Sequence, residues 1–471
     1  MQIPSLTGLF TPRGWGLLSA GAAFLLAAGV LGRRDLLAVA VLLMGLPLAA
    51  AVLLRLAKPG FDVERTFTPP LTETGTAATV QLSIRCRGSQ IPSATMREGL
   101  PLRFGRSPEF HFPSGLAVDG RASTYEYRLR SSRRGLYAIG PVTAEFLDPF
   151  GLAKTVHTLG GTDQLAVAPA PQDLPVLALS GARGTEGTSP SRRRGTPSED
   201  DATTREYRYG DPMRRVHWPA TARHGELMVR QEEPVTAPTA SILLDQRAAA
   251  YGAGALPGSD DSRELLTTES FEWAVSAVIS GAVHFSDGGY SVRFVDESSS
   301  PGLLHSPSAV DADESGFGGS DGVHNLAEGL AGLGLQPAAP APAQTADPLP
   351  AEPFGDTLLD GLAGGRTPGP LLMIGGRLTT SEATALAGAA RYSPQPLALL
   401  VTDRPADLRP VLRILREAGW VAAAVAPATP IASAWALLDR DRDGTGAATP
   451  AAHAGAGPRR KPGPVVESTF S

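Results

Sequence analysis

The 471-residue sequence contains a single cysteine, Cys86. One cysteine forms neither an intrachain disulfide nor a multi-cysteine metal centre, so a small secreted protein held together by disulfides is excluded. Aromatic residues make up only 6% of the chain, and the net charge at pH 7 is −5. A chain with this balance lacks the overall positive field that attracts nucleic acid. We therefore predict no nucleic-acid partner.

What the chain does contain is two long apolar runs near its N-terminus, at residues 15–31 and 36–56. Each run has about the ~20 residues needed to cross a hydrocarbon core about 30 Å thick. A signal peptide would not explain the second run, which follows a short charged turn. We predict a transmembrane hairpin within residues 1–58. Slightly more positive charge lies on the outer flanks than in the turn, which favours a cytoplasmic location for both termini and for the soluble domains.

Short runs of alternating residues follow the hairpin. VERTFTP, AATVQLSIRCR and STYEYRLRSS are examples, and Gly and Pro interrupt them. Strands spaced roughly ten residues apart predict a small β-sandwich over residues 60–170. Residues 171–203 are rich in Pro, Gly, Ser and Thr and predict a flexible linker. Within it, Arg192–Arg194 are either solvated charges or a contact for anionic lipid.

Residues 204–440 alternate apolar strands with amphipathic helices. Predicted strands lie at 238–245, 290–297, 371–376, 396–403 and 420–426. Continuous apolar strands separated by helices predict a parallel sheet that is covered on both faces. Residues 298–366 and 441–471 are rich in small and polar residues. We predict a mostly disordered insertion in the first segment, with one weak helical stretch around His324–Leu335, and a disordered tail in the second.

The densest polar chemistry lies in the central segment, residues 204–234, which read TREYRYGDPMRRVHWPATARHGELMVRQEEP. Its Asp211-Pro212 pair is typical of a helix start, because Asp caps free N–H groups and Pro suits the first turn. Its arginines suit planar contacts with carboxylates. The sequence has no G-x-S-x-G nucleophile elbow and no H-E-x-x-H metal pair. The segment therefore favours a docking network, with scaffolding, catalysis and nucleic-acid contact as weaker alternatives.

The central segment resembles the defining stretch of the bacterial "domain of unknown function 58" family, which reads like L-R-E-Y-x-x-G-D-x-x-R-x-I-x-W-K-x-[ST]-A-R-x-x-x-L-x-V-R. Pro219 stands where the family usually has Lys. A second stretch, RRGLYAIGPVTAEFLDPFGL at residues 133–152, also resembles the family. The motif positions that we predict to form the docking surface are Arg205, Glu206, Tyr207, Gly210, Asp211, Arg214, Trp218, Arg223 and Arg230.

The resemblance implies a multi-domain fold. Its expected parts are an N-terminal transmembrane helical hairpin, a small β-sandwich and a C-terminal doubly wound α/β domain similar to a von Willebrand factor A domain. Family members often occur beside MoxR-type AAA+ ATPases and transglutaminase-like membrane proteins. The resemblance thus implies a protein of the cell membrane that binds protein partners of these kinds, and it names no reaction.

We therefore predict an adaptor that is not an enzyme and needs no cofactor. The alternative is a hydrolase that uses Asp211, His217 or Glu206 in a cleft, because these side chains are possible acid–base groups.

Factor-A domains often bind Mg²⁺ through Asp-x-Ser-x-Ser after the first strand. The matching stretch here is Asp245-Gln246-Arg247-Ala248-Ala249, which keeps the aspartate and loses both serines. Hard cations need oxygen ligands, and Arg247 would put a positive charge where the cation should sit. Asp245 is therefore a degenerate metal-site position, and we predict no bound metal.

Overall fold

The fold is that of a computed structural model, which describes residues 8–56, 60–87, 90–91, 94–112, 115–116, 122–176, 204–207, 218–230, 238–252, 265–337, 352–364 and 368–442. The greater part of the predicted linker and of the predicted tail lies outside these ranges, as do Arg192–Arg194.

Two antiparallel helices, α1 (Pro12–Leu31) and α2 (Arg34–Leu56), form the N-terminal hairpin. Both are long and apolar enough to cross a membrane. Gly21 of α1 lies against α2, where an added Cβ would stand 2.5 Å from Met44 Cγ. Large apolar side chains point away from the protein, and Leu26 in the C-terminal half of α1 is 73% exposed. This outward apolar surface is compatible with two membrane spans at the predicted positions.

The next part of the chain is built from sheets whose strands pair antiparallel, except that β12 and β2 pair parallel. A central sheet β1-β3-β8 packs against two others, β11-β10-β5-β6 and β2-β12-β9, and β4 pairs with β7. The alternation predicted for β3 is present, because Val80, Leu82 and Ile84 are fully buried while Gln81 is exposed. The packed sheets form the predicted sandwich. Its strands are β1 (Phe61–Thr68), β2 (Leu71–Glu73), β3 (Ala77–Cys86), β4 (Gln90–Ile91), β5 (Ala94–Glu98), β6 (Glu109–Phe112), β7 (Gly115–Leu116), β8 (Ala122–Arg130), β9 (Gly135–Ile139), β10 (Val142–Leu147), β11 (Lys154–Leu159) and β12 (Asp163–Ala168).

The C-terminal part has a six-stranded sheet with helices on both faces. The central segment precedes it as a short unit of β13, α3 and β14. The elements are β13 (Thr204–Glu206), α3 (Trp218–His224), β14 (Met228–Arg230), β15 (Thr239–Leu244), α4 (Glu269–Asp287), β16 (Ser291–Asp296), β17 (Gly316–Phe317), α5 (Gly319–Gly332), α6 (Asp356–Ala363), β18 (Pro368–Gly375), α7 (Thr380–Ala387), β19 (Pro396–Val401), α8 (Arg409–Glu417), β20 (Val421–Val425) and α9 (Ile431–Arg442).

The sheet order is β17-β16-β15-β18-β19-β20, and every pairing is parallel except that of β17. Ile242 and Leu244 of β15 pack in one core with α4, α5 and α9, whereas Leu243 packs in the opposite core with α6, α7 and α8. The strand order reverses between β15 and β18. In doubly wound sheets the crevice at the carboxyl end of such a reversal is where ligands usually bind.

The predicted disorder of residues 298–366 is wrong for the parts that the structure describes. Residues 298–337 contain β17 and α5, and residues 352–364 contain α6. Leu326 and Leu330 of α5 are fully buried. The segment is rich in glycine because it packs closely: an added Cβ at Gly329 would overlap Leu303. The weak helical stretch predicted around His324–Leu335 overlaps α5, whereas the small and polar composition of the rest of the segment predicted disorder.

The predicted linker also begins later than residue 171. The backbone N–H of Gln172 donates to Ser280 Oγ at 2.9 Å, and Trp435 Nε1 donates to the Pro175 carbonyl at 3.1 Å. These contacts hold residues 171–176 against α4 and α9. The sequence did not reveal them because the partners lie more than a hundred positions away.

Arg134 joins the sandwich to the α/β domain. Its side chain is almost fully buried, and its Nε donates to Glu272 Oε2 at 3.0 Å. Its Nη1 donates to the carbonyls of Leu330 and Leu333, both at 2.6 Å, at the end of α5. The guanidinium also lies 5.5 Å from the centre of the Phe271 ring. One arginine of the second family-like stretch therefore ties β9 to both α4 and α5.

Candidate functional site

The central segment forms a small unit ahead of the α/β sheet. β13 pairs antiparallel with β14, and Tyr207 N donates to Leu227 O at 2.8 Å beyond the ladder. Helix α3 comes between the two strands in the sequence. Its Thr221 Oγ1 accepts a hydrogen bond from Met228 N at 3.0 Å. The predicted strand within GELMVRQEE is confirmed as β14. Gly210, Asp211, Arg214 and His217 lie outside the described residues, so the predicted helix start at Asp211 is not described either.

The described side chains of this unit differ in exposure. Trp218, at the start of α3, is 61% exposed, and Arg223 is also exposed. Tyr207 is half-buried, whereas Met228 and Val229 are buried. For Arg205, Glu206 and Arg230 the structure gives only the backbone, in β13 and β14. The unit thus presents a large aromatic side chain to the surface while its interior is filled by β14.

A second polar cluster lies at the carboxyl end of β15, next to the reversal in strand order. The Asp245 carboxylate is fully buried. Arg247 meets it with two hydrogen bonds, Nε to Oδ1 at 2.9 Å and Nη2 to Oδ2 at 2.8 Å. Such a two-pronged contact is the strong geometry for an arginine and a carboxylate. Behind it, an added Cβ on Gly376 would overlap Ala250 O, so the end of β18 needs a glycine there.

Arg247 also bridges to the far side of the same crevice. Its Nη1 donates to Glu382 Oε1 on α7. The guanidinium lies 5.2 Å from the centre of the Phe354 ring, which is a cation–π contact. Glu382 itself closes a capping box with Thr379 at the start of α7. The arginine therefore has a carboxylate on two sides and an aromatic ring against it.

The charges of this cluster shift one another's pKa. Burial alone would lower the pKa of Arg247, but hydrogen bonds to Asp245 and the charges of Asp245 and Glu382 together raise it. Burial raises the pKa of the Asp245 carboxyl, and the hydrogen bonds from Arg247 oppose that shift. Glu297 follows β16 and accepts a hydrogen bond from Gln246 N at 3.2 Å. Burial, and then the charge of Asp245, raise the pKa of Glu297 to about 7.

The residues at the end of β15 do not fit a bound magnesium ion. Mg²⁺ needs an octahedron of oxygen ligands and tolerates no cationic group among them. Here the Arg247 guanidinium occupies both oxygens of Asp245. In the described part of the chain, no group of three or more His, Cys, Asp or Glu side chains is arranged to hold a metal ion. The Arg247 guanidinium therefore occupies the position beside Asp245 that a metal ion would need.

Residues 203–276 match a family model described as "Protein of unknown function DUF58". This segment of the chain therefore belongs to the DUF58 family. The match in this DUF58 protein runs from the central unit through β15 into the first two turns of α4, so it includes both Trp218 and the Asp245–Arg247 pair. The stretch that the sequence identified as the family hallmark is confirmed.

Solved structures give this DUF58 protein no further assignment. Three of them are a CARDB domain from Pyrococcus furiosus, the alkylpurine DNA glycosylase AlkC from Pseudomonas fluorescens and a beta-glucosidase from Listeria innocua. The CARDB domain is 17% identical, the match covers 23% of this chain and 93% of that one, and the TM-score is 0.17. The glycosylase is 12% identical, with coverages of 28% and 38% and a TM-score of 0.16. The beta-glucosidase is 12% identical, with coverages of 22% and 16% and a TM-score of 0.13. Scores this low carry no argument about fold or function. No curated protein matches the chain.

Sequence reasoning found Asp245 and Arg247 but missed Glu297 and Glu382. A signal for each was present. Glu297 directly follows the apolar run of β16, and the T-T-S-E stretch ending at Glu382 is a capping-box pattern. Neither signal says that the two carboxylates meet at one crevice, because that depends on the order of the strands.

We expect the Glu297→Gln variant of this DUF58 protein to be more stable than the wild type above pH 7. In the unfolded chain Glu297 titrates near its ordinary pKa of about 4.3, whereas in the fold it titrates at about 7. The folded chain therefore binds more protons between these pH values, and wild-type stability falls as the pH rises through them. At pH 8 the variant should gain on the order of 3–4 kcal/mol, and at pH 4 the two should be nearly equal.

Urea unfolding of the full chain in detergent micelles at several pH values measures this difference. Glu417→Gln is the matched control, because Glu417 is 70% exposed and pairs with the exposed Arg413. Parallel pH profiles for the wild type and Glu297→Gln would show that Glu297 carries no raised pKa.

Proposed function

We propose that this DUF58 protein is a membrane-anchored adaptor that binds protein partners through its central unit. The observation that carries the proposal is the exposure of Trp218 within the family-matched segment. Tryptophan is enriched among the residues that dominate binding energy at protein interfaces. The interior of the unit is filled by Met228 and Val229, so Trp218 is not needed there for packing. A docking role explains its position better than a folding role.

The α/β domain supports the same proposal. We infer a likeness to von Willebrand factor A domains from the order β17-β16-β15-β18-β19-β20, in which the edge strand β17 is antiparallel. In such a domain the crevice at the carboxyl end of β15 would be the usual place for a metal. The contact between Arg247 and Asp245 favours a crevice that works without one. We propose that this face contacts protein and not a metal-bound ligand.

The hairpin gives the adaptor its location. We propose that α1 and α2 span the cell membrane, with the termini and the soluble domains in the cytoplasm, as the flanking positive charge favours. A cytoplasmic location would expose the central unit to a MoxR-type AAA+ ATPase. That ATPase and a transglutaminase-like membrane protein are the partners that the family resemblance implies.

The test is crosslinked co-purification from native membranes, with the wild-type chain and a Trp218→Ala chain as baits. We expect an AAA+ ATPase to be recovered with the wild type and its yield to fall about tenfold or more with the variant, since an interface anchor is worth about 2 kcal/mol or more. Leu102→Ala is the matched control, because Leu102 is 94% exposed on the sandwich. Equal recovery with all three baits would contradict the proposed role of Trp218.

The hydrolase alternative stays a prediction. The side chains of Asp211, His217 and Glu206 all lie outside the described ones, so their convergence in a cleft is untested.

A further inference from the structure

The turn between β10 and β11 lies against the N-terminal end of α1. It comprises Asp148–Leu152, the D-P-F-G-L part of the second family-like stretch. Asp148 Oδ1 accepts hydrogen bonds from Leu152 N and Ala153 N, both at 2.6 Å, and Oδ2 accepts one from Phe150 N at 2.9 Å. Three backbone donors on one buried carboxylate fix the path of the turn.

This turn is bonded to the first residues of α1. Thr11 N donates to Leu152 O at 3.0 Å, and Thr11 Oγ1 donates to Gly151 O at 2.6 Å. The same Thr11 oxygen accepts from Gly14 N at 3.2 Å and so caps the helix. An added Cβ at Gly14 would overlap Leu152 O, so helix and turn are in direct contact. The turn therefore stands at the depth where α1 begins.

The length of α1 fixes that depth relative to a bilayer. Its 20 residues rise by about 30 Å, which is the thickness of the hydrocarbon core. Its first turn must then lie at the membrane boundary. Trp15 is 45% exposed in that turn, and tryptophans of spanning helices are enriched at this level. Ala50, Ala51 and Leu54 of α2 pack in the sandwich core, which holds the whole sandwich at the same boundary.

Phe150 is the side chain that this arrangement leaves uncovered. It is 65% exposed, one residue from the Gly151 carbonyl that Thr11 bonds. Arg13, also exposed, brings its Nη1 within 3.9 Å of the position that a Cβ on Gly151 would take. A large apolar ring beside a cation at the start of a span matches the chemistry of the lipid interface, which is apolar below and phosphate-rich above.

We propose that the Asp148–Leu152 turn is a lipid-binding element, in which Phe150 inserts at the boundary between headgroups and acyl chains while Arg13 contacts a lipid phosphate. The sandwich then rests on the membrane surface in one orientation and does not swing on the hairpin. This inference rests on the proposal that α1 and α2 span the membrane, and its test separates the two.

The experiment labels the full chain at single cysteines in vesicles of phosphatidylcholine and phosphatidylglycerol. Cys86→Ala removes the one native thiol. Phe150→Cys, Leu26→Cys and Leu102→Cys then each carry an environment-sensitive nitrobenzoxadiazole label. All three positions are exposed, so the labels leave the cores intact. Leu26 reports on the C-terminal half of α1, between the two ends of the span. Leu102 lies beside the half of the sandwich whose core contains no residue of the hairpin.

Vesicles with a nitroxide near the top of the acyl chain should quench the label at position 150 at least about twofold more strongly than the label at position 102. A nitroxide deep in the acyl chain should quench the label at position 26. If position 26 is quenched and position 150 behaves like position 102, the lipid contact is overturned while the spans stand. If position 26 is also unquenched, α1 does not span the bilayer, and both proposals fall.

Discussion

Replacing Arg247 with methionine lowers the free energy of unfolding by about 3–5 kcal/mol, the cost of removing one partner from a buried ion pair. Asp245 has no exposed surface, and Arg247 provides both of its side-chain ion-pair contacts. Methionine keeps much of the length of the side chain but leaves the carboxylate without compensation. Tryptophan fluorescence during urea unfolding measures the change, because Trp273, Trp420 and Trp435 are buried in the α/β domain.

The size of the loss should depend on pH. Without the Arg247 guanidinium the pKa of Asp245 rises further above its ordinary value, since burial is then opposed by the backbone N–H of residue 247 and no longer by a side-chain cation. The folded variant binds an extra proton as the pH falls, so its deficit is largest at neutral pH and shrinks towards about pH 4.

The Asp245→Asn/Arg247→Met double variant is the control. It carries no buried charge at this position, and we expect it to be more stable than the single variant at pH 7. If the double variant is instead less stable than Arg247→Met, the effect of Asp245→Asn adds to that of Arg247→Met. The two side chains then do not act as a pair.

Replacing Arg134 with alanine costs about 3 kcal/mol and uncouples the sandwich from the α/β domain. The change leaves Glu272 without its partner, and the carbonyls of Leu330 and Leu333 lose a charged donor. It also removes the cation from the face of Phe271. Because these contacts join the sandwich to the core that contains Phe271, Leu330 and Leu333, we expect the two domains of the variant to unfold in two separate transitions.

Differential scanning calorimetry of the full chain in micelles, together with limited proteolysis, measures this separation. Arg133→Ala is the matched control, because Arg133 is the adjacent arginine and is exposed. A single, unshifted transition for Arg134→Ala would mean that the domains are coupled by other contacts.

The elements of this protein could be predicted from the sequence where local periodicity is strong. The two apolar runs, the alternation in β3 and the strand–helix sequence from β15 to α9 all appear near their predicted positions. The prediction of a mostly disordered insertion at residues 298–366 failed for the described parts, although the weak helical stretch predicted around His324–Leu335 overlaps α5. Val323, Leu326, Ala327 and Leu330 of α5 lie at helical spacing and pack against the core, and Gly329 allows the helix to approach Leu303 closely.

The candidate site, too, could be predicted from the sequence only in part. The loss of the serines after Asp245 and the presence of Arg247 are visible in the sequence, and so is the family motif around Trp218. The contact of Arg247 with Glu382 joins residues 135 positions apart. No local pattern marks it, because it exists only once β15 and β18 lie side by side.

The sequence by itself determined the apolar hairpin, the two kinds of domain and the family of the central segment, because each depends on residues close together in the chain. Only the tertiary structure decided that Arg134 joins the two domains, that Arg247 is held between two carboxylates and that the Asp148–Leu152 turn meets the start of α1. Each of these contacts requires strand order and domain packing, which bring together side chains that the periodicity of one element cannot relate.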